Sequence, residues 1–321
     1  MSIPILEMRS ISKTFPGVKA LSDVSFQVAR GEIHCLVGEN GAGKTTLFDV
    51  ITGFLKPNDG VVRFKGDPTT GLKPRDIVQR GVARTFQNLR LFPELSVIDN
   101  VVVCLADESG NDPLTSLFRP WKSESIVKRK QEHALEILET VGLRHKANDA
   151  VRRISFGQQK LLCIARVLAT DAPLLLLDEP TSGLAAAALD NVTALIRKLS
   201  KSGRTLLVIE HNTQIVRDIA DTIIFMHQGR VLATGAPDDV LDRRDLIEIY
   251  FGGAVRQPQI SREIEKLAEW RPETVAAREA RMLDVLTRLW RLGSESLQSE
   301  EPVQDPSPRR RQAKATRRRG A

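Results

Sequence analysis

The chain has little of what several classes of protein require. Three of its 321 residues are cysteine, Cys35, Cys104 and Cys163. None stands in a C-x-x-C or His-paired spacing, which argues against a zinc site or a disulfide framework and for buried free thiols. No apolar run approaches the ~18 to 20 residues of a membrane span. The opening MSIPILEMRS lacks the basic, apolar and small-residue segments of a secretion signal, so a cytoplasmic location is expected. Acid is absent from residues 309–321, RRRQAKATRRRGA, which hold six Arg and one Lys. The net charge of +7 therefore sits in that tail, and the rest of the chain is neutral overall. Such a balance describes a tail, not a basic nucleic-acid-binding face.

What is present is a hydrophobic fraction of 41% arranged as alternating strand and helix patterns. Residues 3–9 and 24–28 read as strands of an opening β segment. EIHCLVG (32–38) is a buried strand, TLFDVITGF (46–54) a helix, and DGVVRFKG (59–66) a strand between turn residues. Residues 89–150 change to a helical pattern, with a polar loop near 107–113 and an amphipathic stretch ending at Gly142. Alternation then resumes with strands at 173–178 and 205–210, helices at 188–203 and 213–220, and a hairpin of 222–226 with 230–234. This order predicts an α/β fold with a mostly parallel sheet covered on both faces, interrupted by a helical insert. After Gly253 the composition shifts again. Pro272 divides two helical patterns, and from Gly293 the Ser, Glu, Pro and Arg content predicts disorder.

Gly38 to Thr45, GENGAGKT, fits G-x-x-x-x-G-K-[ST]. Glycines let backbone N–H groups turn inward around phosphates, Lys44 can reach the β- and γ-phosphates, and the Thr45 hydroxyl can ligate Mg²⁺. The helix that follows offers its positive end to the anion. The predicted phosphate-binding set is Gly38, Glu39, Asn40, Gly41, Ala42, Gly43, Lys44, Thr45 and Thr46. The run LLLLDEPTSGLAAAALD (174–190) ends a buried strand in two carboxylates. Asp178 suits a metal contact. Glu179, one residue beyond the strand, suits polarising a water for attack on phosphate.

Between these motifs stands RRISFGQQKLLCIARVLA (152–169). It resembles the signature segment of ATP-binding-cassette (ABC) ATPases, with Ser155, Gly157 and Gln158 at the start of a helix. Gln87 in RTFQNLRLF resembles that family's Q-loop glutamine, a further metal contact, and His211 in VIEH its switch histidine. Phe15 in KTFPGVKAL resembles the aromatic residue that stacks on adenine. The resemblance covers roughly residues 4–253. It implies a P-loop NTPase cassette with a RecA-like, mostly parallel sheet, an antiparallel β subdomain and a helical subdomain near 89–165. Residues 254–292 would be a helical extension and 293–321 a basic disordered tail. GVARTFQNLRLFPELSVIDNV, the aromatic in SFGQQ and DLIEIYFGG look like the branched-chain amino-acid uptake subfamily, whose relatives serve other amino acids, amides and urea.

The resemblance further implies catalytic roles for Lys44, Gln87, Glu179 and His211, with ATP and Mg²⁺ bound. It implies a second cassette, a copy or a paralogue, whose signature loop completes each site. It also implies permease subunits that dock near Gln87, an indirect link to a solute-binding protein, and a peripheral place on the cytoplasmic face of the membrane. Two other readings stand beside it. One is a non-transport cassette acting on nucleic acid, which only the tail supports. The other is a degenerate or regulatory cassette with weak hydrolysis. The family pattern has Asp or Asn and then Pro after DEPTSGL, where this chain has Ala185 and Ala186, so loss of a helix cap is expected.

Overall fold

Four consecutive leucines, 174–177, divide between the two faces of one strand, which explains why they show no polar alternation. In the computed structural model, which describes residues 3–105, 120–243 and 245–246, every described residue belongs to a unit spanning Met1–Gly253. The expected polar loop near 107–113, extension 254–292 and tail 293–321 lie outside the described residues.

Strands β1 (Leu6–Phe15), β2 (Val18–Val28), β4 (Asp59–Phe64) and β5 (Asp67–Pro68) form an antiparallel sheet in the order β2-β1-β4-β5. A six-stranded sheet runs β10-β9-β3-β8-β7-β6. Its members are β3 (Ile33–Val37), β6 (Val82–Arg84), β7 (Leu174–Asp178), β8 (Thr205–Ile209), β9 (Thr222–His227) and β10 (Arg230–Gly235). All neighbours there are parallel except β9 and β10, the expected hairpin. The helices are α1 (Lys44–Ile51), α2 (Pro74–Arg80), α3 (Val97–Val102), α4 (Pro120–Thr140), α5 (Phe156–Leu168), α6 (Ala186–Lys201), α7 (Thr213–Ile219) and α8 (Pro237–Leu241).

Period-two alternation sends Leu175, Leu177, Leu206, Val208, Ile223 and Phe225 to one core, with Leu162 of α5 and Val192 and Ile196 of α6. Leu174, Leu176, Leu207, Ile209, Ile224 and Met226 face the other core. There they meet Leu47 and Phe48 of α1 and Leu6, Met8, Val62 and Phe64 of the antiparallel sheet. Helix α1 thus packs between the two sheets. Each fully buried leucine contributes about 1.5–3 kcal/mol, so both faces of the parallel strands must be apolar.

The first two strands run further than the expected 3–9 and 24–28, meeting as a hairpin that pairs Phe15 with Val18. Register shifts between Met8 and Thr14, with left-handed Ser10 (φ 49°) and Asp23 (φ 55°), break the alternation that marks a strand. Four elements have no counterpart in the sequence pattern: α2, β6, the two-residue β5 and the short α8. Helix α2 opens with Pro74 and closes at left-handed Gly81 (φ 105°). Strand β6 is three residues long.

Candidate functional site

The glycine-rich loop leaves β3 at Val37 and enters α1 at Lys44, so a buried strand aims it and a helix start completes it. Two glycines are there because nothing larger fits. A Cβ on Gly38 would stand 2.2 Å from the Met226 carbonyl oxygen. One on Gly43, at φ 97°, would stand 2.6 Å from the Ala20 carbonyl oxygen. The Lys44 ammonium folds back to donate to the carbonyls of Gly38 (2.7 Å) and Glu39 (2.8 Å). Burial pulls its pKa down, against the pull of the Glu179, Asp178 and Glu39 carboxylates. Thr45 is exposed one residue on.

A cleft of about 460 Å³ opens over this loop. It is lined by Asn40, Gly41, Gly43, Lys44, Thr45 and Thr46 and, from other elements, by Gln87, Glu179 and His211. Asp178, at the last position of β7, is 4% exposed. Burial pushes its pKa up, while Arg84 at 2.9 Å opposes the shift. Glu179 then turns out of the strand in a left-handed conformation (φ 48°), a strained geometry for a residue with a side chain. Its Oε1 lies 2.6 Å from His211 Nε2, and Gln87 Nε2 donates to its Oε2 at 3.3 Å. One carboxylate is therefore held by a histidine and an amide across the cleft from the phosphate loop.

Hard oxygen donors suit Mg²⁺, which keeps few protein ligands and takes the rest from phosphate and water. The Thr45 hydroxyl, the Gln87 carbonyl and the Asp178 carboxylate fit that demand. Among the described residues no group of three His, Cys, Asp or Glu side chains could hold a metal unaided, so the nucleotide phosphates would complete the set.

Ser155 caps α5. Its hydroxyl accepts from the Gln158 N–H at 3.3 Å while the Gln158 side chain accepts from the Ser155 N–H at 3.0 Å, a reciprocal capping box. Ser155, Gly157 and Gln158 do not line the cleft of their own chain. Phe15 ends β1, 40% exposed, outside the lining, although Val18, Lys19 and Ala20 just beyond it contribute. Ala185 occupies the N-cap of α6 in extended geometry with no side-chain cap, and Ala186 is the first helical residue.

Three positions that sequence reasoning missed support this site. Lys160 of α5 is buried and donates to the Glu179 carbonyl (2.6 Å) and the Ser182 hydroxyl (3.0 Å). Arg84 joins Asp178 to Asp49 of α1 (2.5 Å). Glu210 accepts from the Thr181 N–H (3.0 Å) and hydroxyl (2.7 Å), fixing the loop after Glu179. Burial pushes the Glu210 carboxyl up. A signal existed for Glu210, a carboxylate ending an apolar strand as Asp178 does. For Lys160 and Arg84 it did not, since their partners are 19 or more residues away.

A glycine-rich loop at a helix start faces a carboxylate paired with histidine across the same cleft. Fold and site together define a P-loop nucleoside triphosphatase. The chain belongs to the ABC transporter family, whose model matches residues 21–182, and is an ATPase of that family. The high-affinity branched-chain amino acid transport ATP-binding protein BraF of Pseudomonas aeruginosa is 38% identical over 255 residues, covering 79% of this chain and 100% of that one. A solved ABC transporter cassette in its ADP conformation is 34% identical with a TM-score of 0.68, covering 78% of this chain and 100% of that one. A dimeric bacterial ABC transporter cassette is 25% identical with a TM-score of 0.61, covering 72% and 98%.

Proposed function

We propose that the chain drives an importer of branched-chain amino acids or related amino acid, amide or urea solutes. The observation that carries ATP hydrolysis is the Glu179–His211 pair, 2.6 Å apart, in the cleft that also holds Lys44. The similarity to BraF along that protein's whole length supports the substrate class.

In this reading Lys44 leaves the Gly38 and Glu39 carbonyls to bind phosphate, and Thr45, Gln87 and Asp178 hold Mg²⁺. The cation supplies charge neutralisation at the phosphates. Glu179 Oε1 is engaged by His211, so Oε2, with the longer Gln87 contact, is the oxygen that orients water and accepts its proton. Ser155, Gly157 and Gln158 lie outside their own cleft, which supports a second cassette supplying them head to tail. Phe15 would reach adenine from the cleft rim. No helix among the described residues is long and apolar enough to cross a membrane. In this reading the chain is a peripheral subunit held by permease subunits near Gln87 and served by a solute-binding protein.

The test is reconstitution with the permease that co-purifies with the full chain. ATP-dependent uptake of leucine or a related solute, lost in Lys44→Ala, is the expected result. ATPase activity indifferent to permease and solute would overturn the transport reading. The uncapped α6 is the one observation favouring a weakly hydrolysing cassette, and turnover of the same complex separates the two.

A further inference from the structure

The phosphate loop carries an acid, Glu39, at its second position. A carboxylate there opposes the arrival of a polyanion, so something must offset it. Two groups from outside the loop bear on it. The turn after β9 grips the loop, with the Gly229 N–H donating to the Ala42 carbonyl at 3.1 Å. His227, the last residue of β9, places Nδ1 2.8 Å from Glu39 Oε1. That nitrogen is sealed from solvent and out of line for a hydrogen bond, so the pair offers charge more than hydrogen-bond geometry.

We propose that His227 is a positioning residue for nucleotide binding: its imidazole pairs with the Glu39 carboxylate and holds it against β9, away from the phosphates. Other cations bear on Glu39 through space, Lys44 among them, but do not pair with its carboxylate. Lys44 is directed at the loop carbonyls, not at the Glu39 carboxylate. Lys19 of β2 lines the cleft itself, and Arg230 of β10 stands opposite His227 in the hairpin register. Glu39 is the carboxylate within ion-pair distance of the imidazole.

The proposal rests on the loop being the ATP phosphate site, and wild-type binding tests that separately. The full chain is titrated at pH 6 with a non-hydrolysable ATP analogue and Mg²⁺, beside His227→Asn, Glu39→Gln and the double variant Glu39→Gln/His227→Asn. Absence of wild-type binding would sink the phosphate-site reading. With wild-type binding present, His227→Asn should bind about tenfold more weakly, the size expected for one unneutralised charge near the phosphates. In the Glu39→Gln background, adding His227→Asn should cost no further affinity. Equal affinities of wild type and His227→Asn, or the same tenfold loss in the Glu39→Gln background, would each overturn the proposal. The second outcome would mark His227 as merely structural.

Discussion

Replacing Ala185 by aspartate probes the missing cap on α6. The backbone at Ala185 is already extended (φ −70°, ψ 157°), the geometry of an N-cap, and the first turn of α6 carries no acidic residue. Ala185 is exposed, so a carboxylate there stays hydrated. An Asp oxygen can accept from the second or third helical N–H, worth about 1 kcal/mol over Ala. Its charge at the positive end of the helix adds about 0.3–1 kcal/mol. The sum is roughly 1–1.5 kcal/mol with some overlap between the two effects. For a folded unit of this size each kcal/mol raises Tm by about 2–4 °C, so Ala185→Asp should melt about 3–5 °C higher. Ala185→Asn keeps the cap without the charge and should give the larger part of that rise. Ala186→Pro can be added, because Pro suits the first helical position and Ala185 already has the conformation that precedes proline. Calorimetric melting of the full chain decides. A Tm within 1 °C of wild type for Ala185→Asp, or a lower one, would refute the cap assignment.

Glu179→Gln should keep nucleotide binding and lose at least about 100-fold in turnover, measured as phosphate release by the reconstituted complex; near-normal turnover would refute its role. Lys160→Met leaves the Glu179 carbonyl short of a charged donor and should cost about 1–3 kcal/mol of stability. Turnover should fall more than nucleotide affinity, and an unchanged kcat would count against Lys160 as a support of Glu179. Burial pulls the pKa of His34 down, so the unfolded chain binds its proton more readily than the folded one. His34 therefore leaves stability untouched above pH 6.5 and lowers it as pH falls below. Denaturant midpoints at pH 7.5 and 5.5 should diverge more in wild type than in His34→Gln, and parallel behaviour would refute this.

Much of the fold and half of the site were legible because their signals are local. EIHCLVG followed by GENGAGKT is one continuous instruction, from buried strand to glycine turn to helix. The leucine run ending in Asp178 and Glu179 is another. The antiparallel strands were shortened in the reading because bulges at Ser10 and Asp23 scramble the two-residue period. Strand β6 is too short to carry a period at all. The supports of the site were silent for a different reason. Lys160 reaches Glu179 and Arg84 reaches Asp178 only after α5 and β6 have packed beside β7, and no spacing in the chain announces such contacts. Ala185 was legible in the negative, as a residue unable to cap a helix, and α6 does begin there without one.

The pressure of the phosphate loop against its surroundings has a consequence for how the molecule holds together. Gly38 abuts β9 of the six-stranded sheet, and Gly43 abuts β2 of the antiparallel sheet. The Ser22 N–H donates to the Gly229 carbonyl at 2.8 Å across the same junction. The loop is thus a rivet through the seam of two sheets as well as the proposed receptor for phosphate. A ligand seated on it tightens both sides of that seam together. Part of its binding energy reappears as resistance to unfolding in strands it never touches, and the occupied and empty forms differ in cohesion across the whole nucleotide-binding half, not in the loop alone.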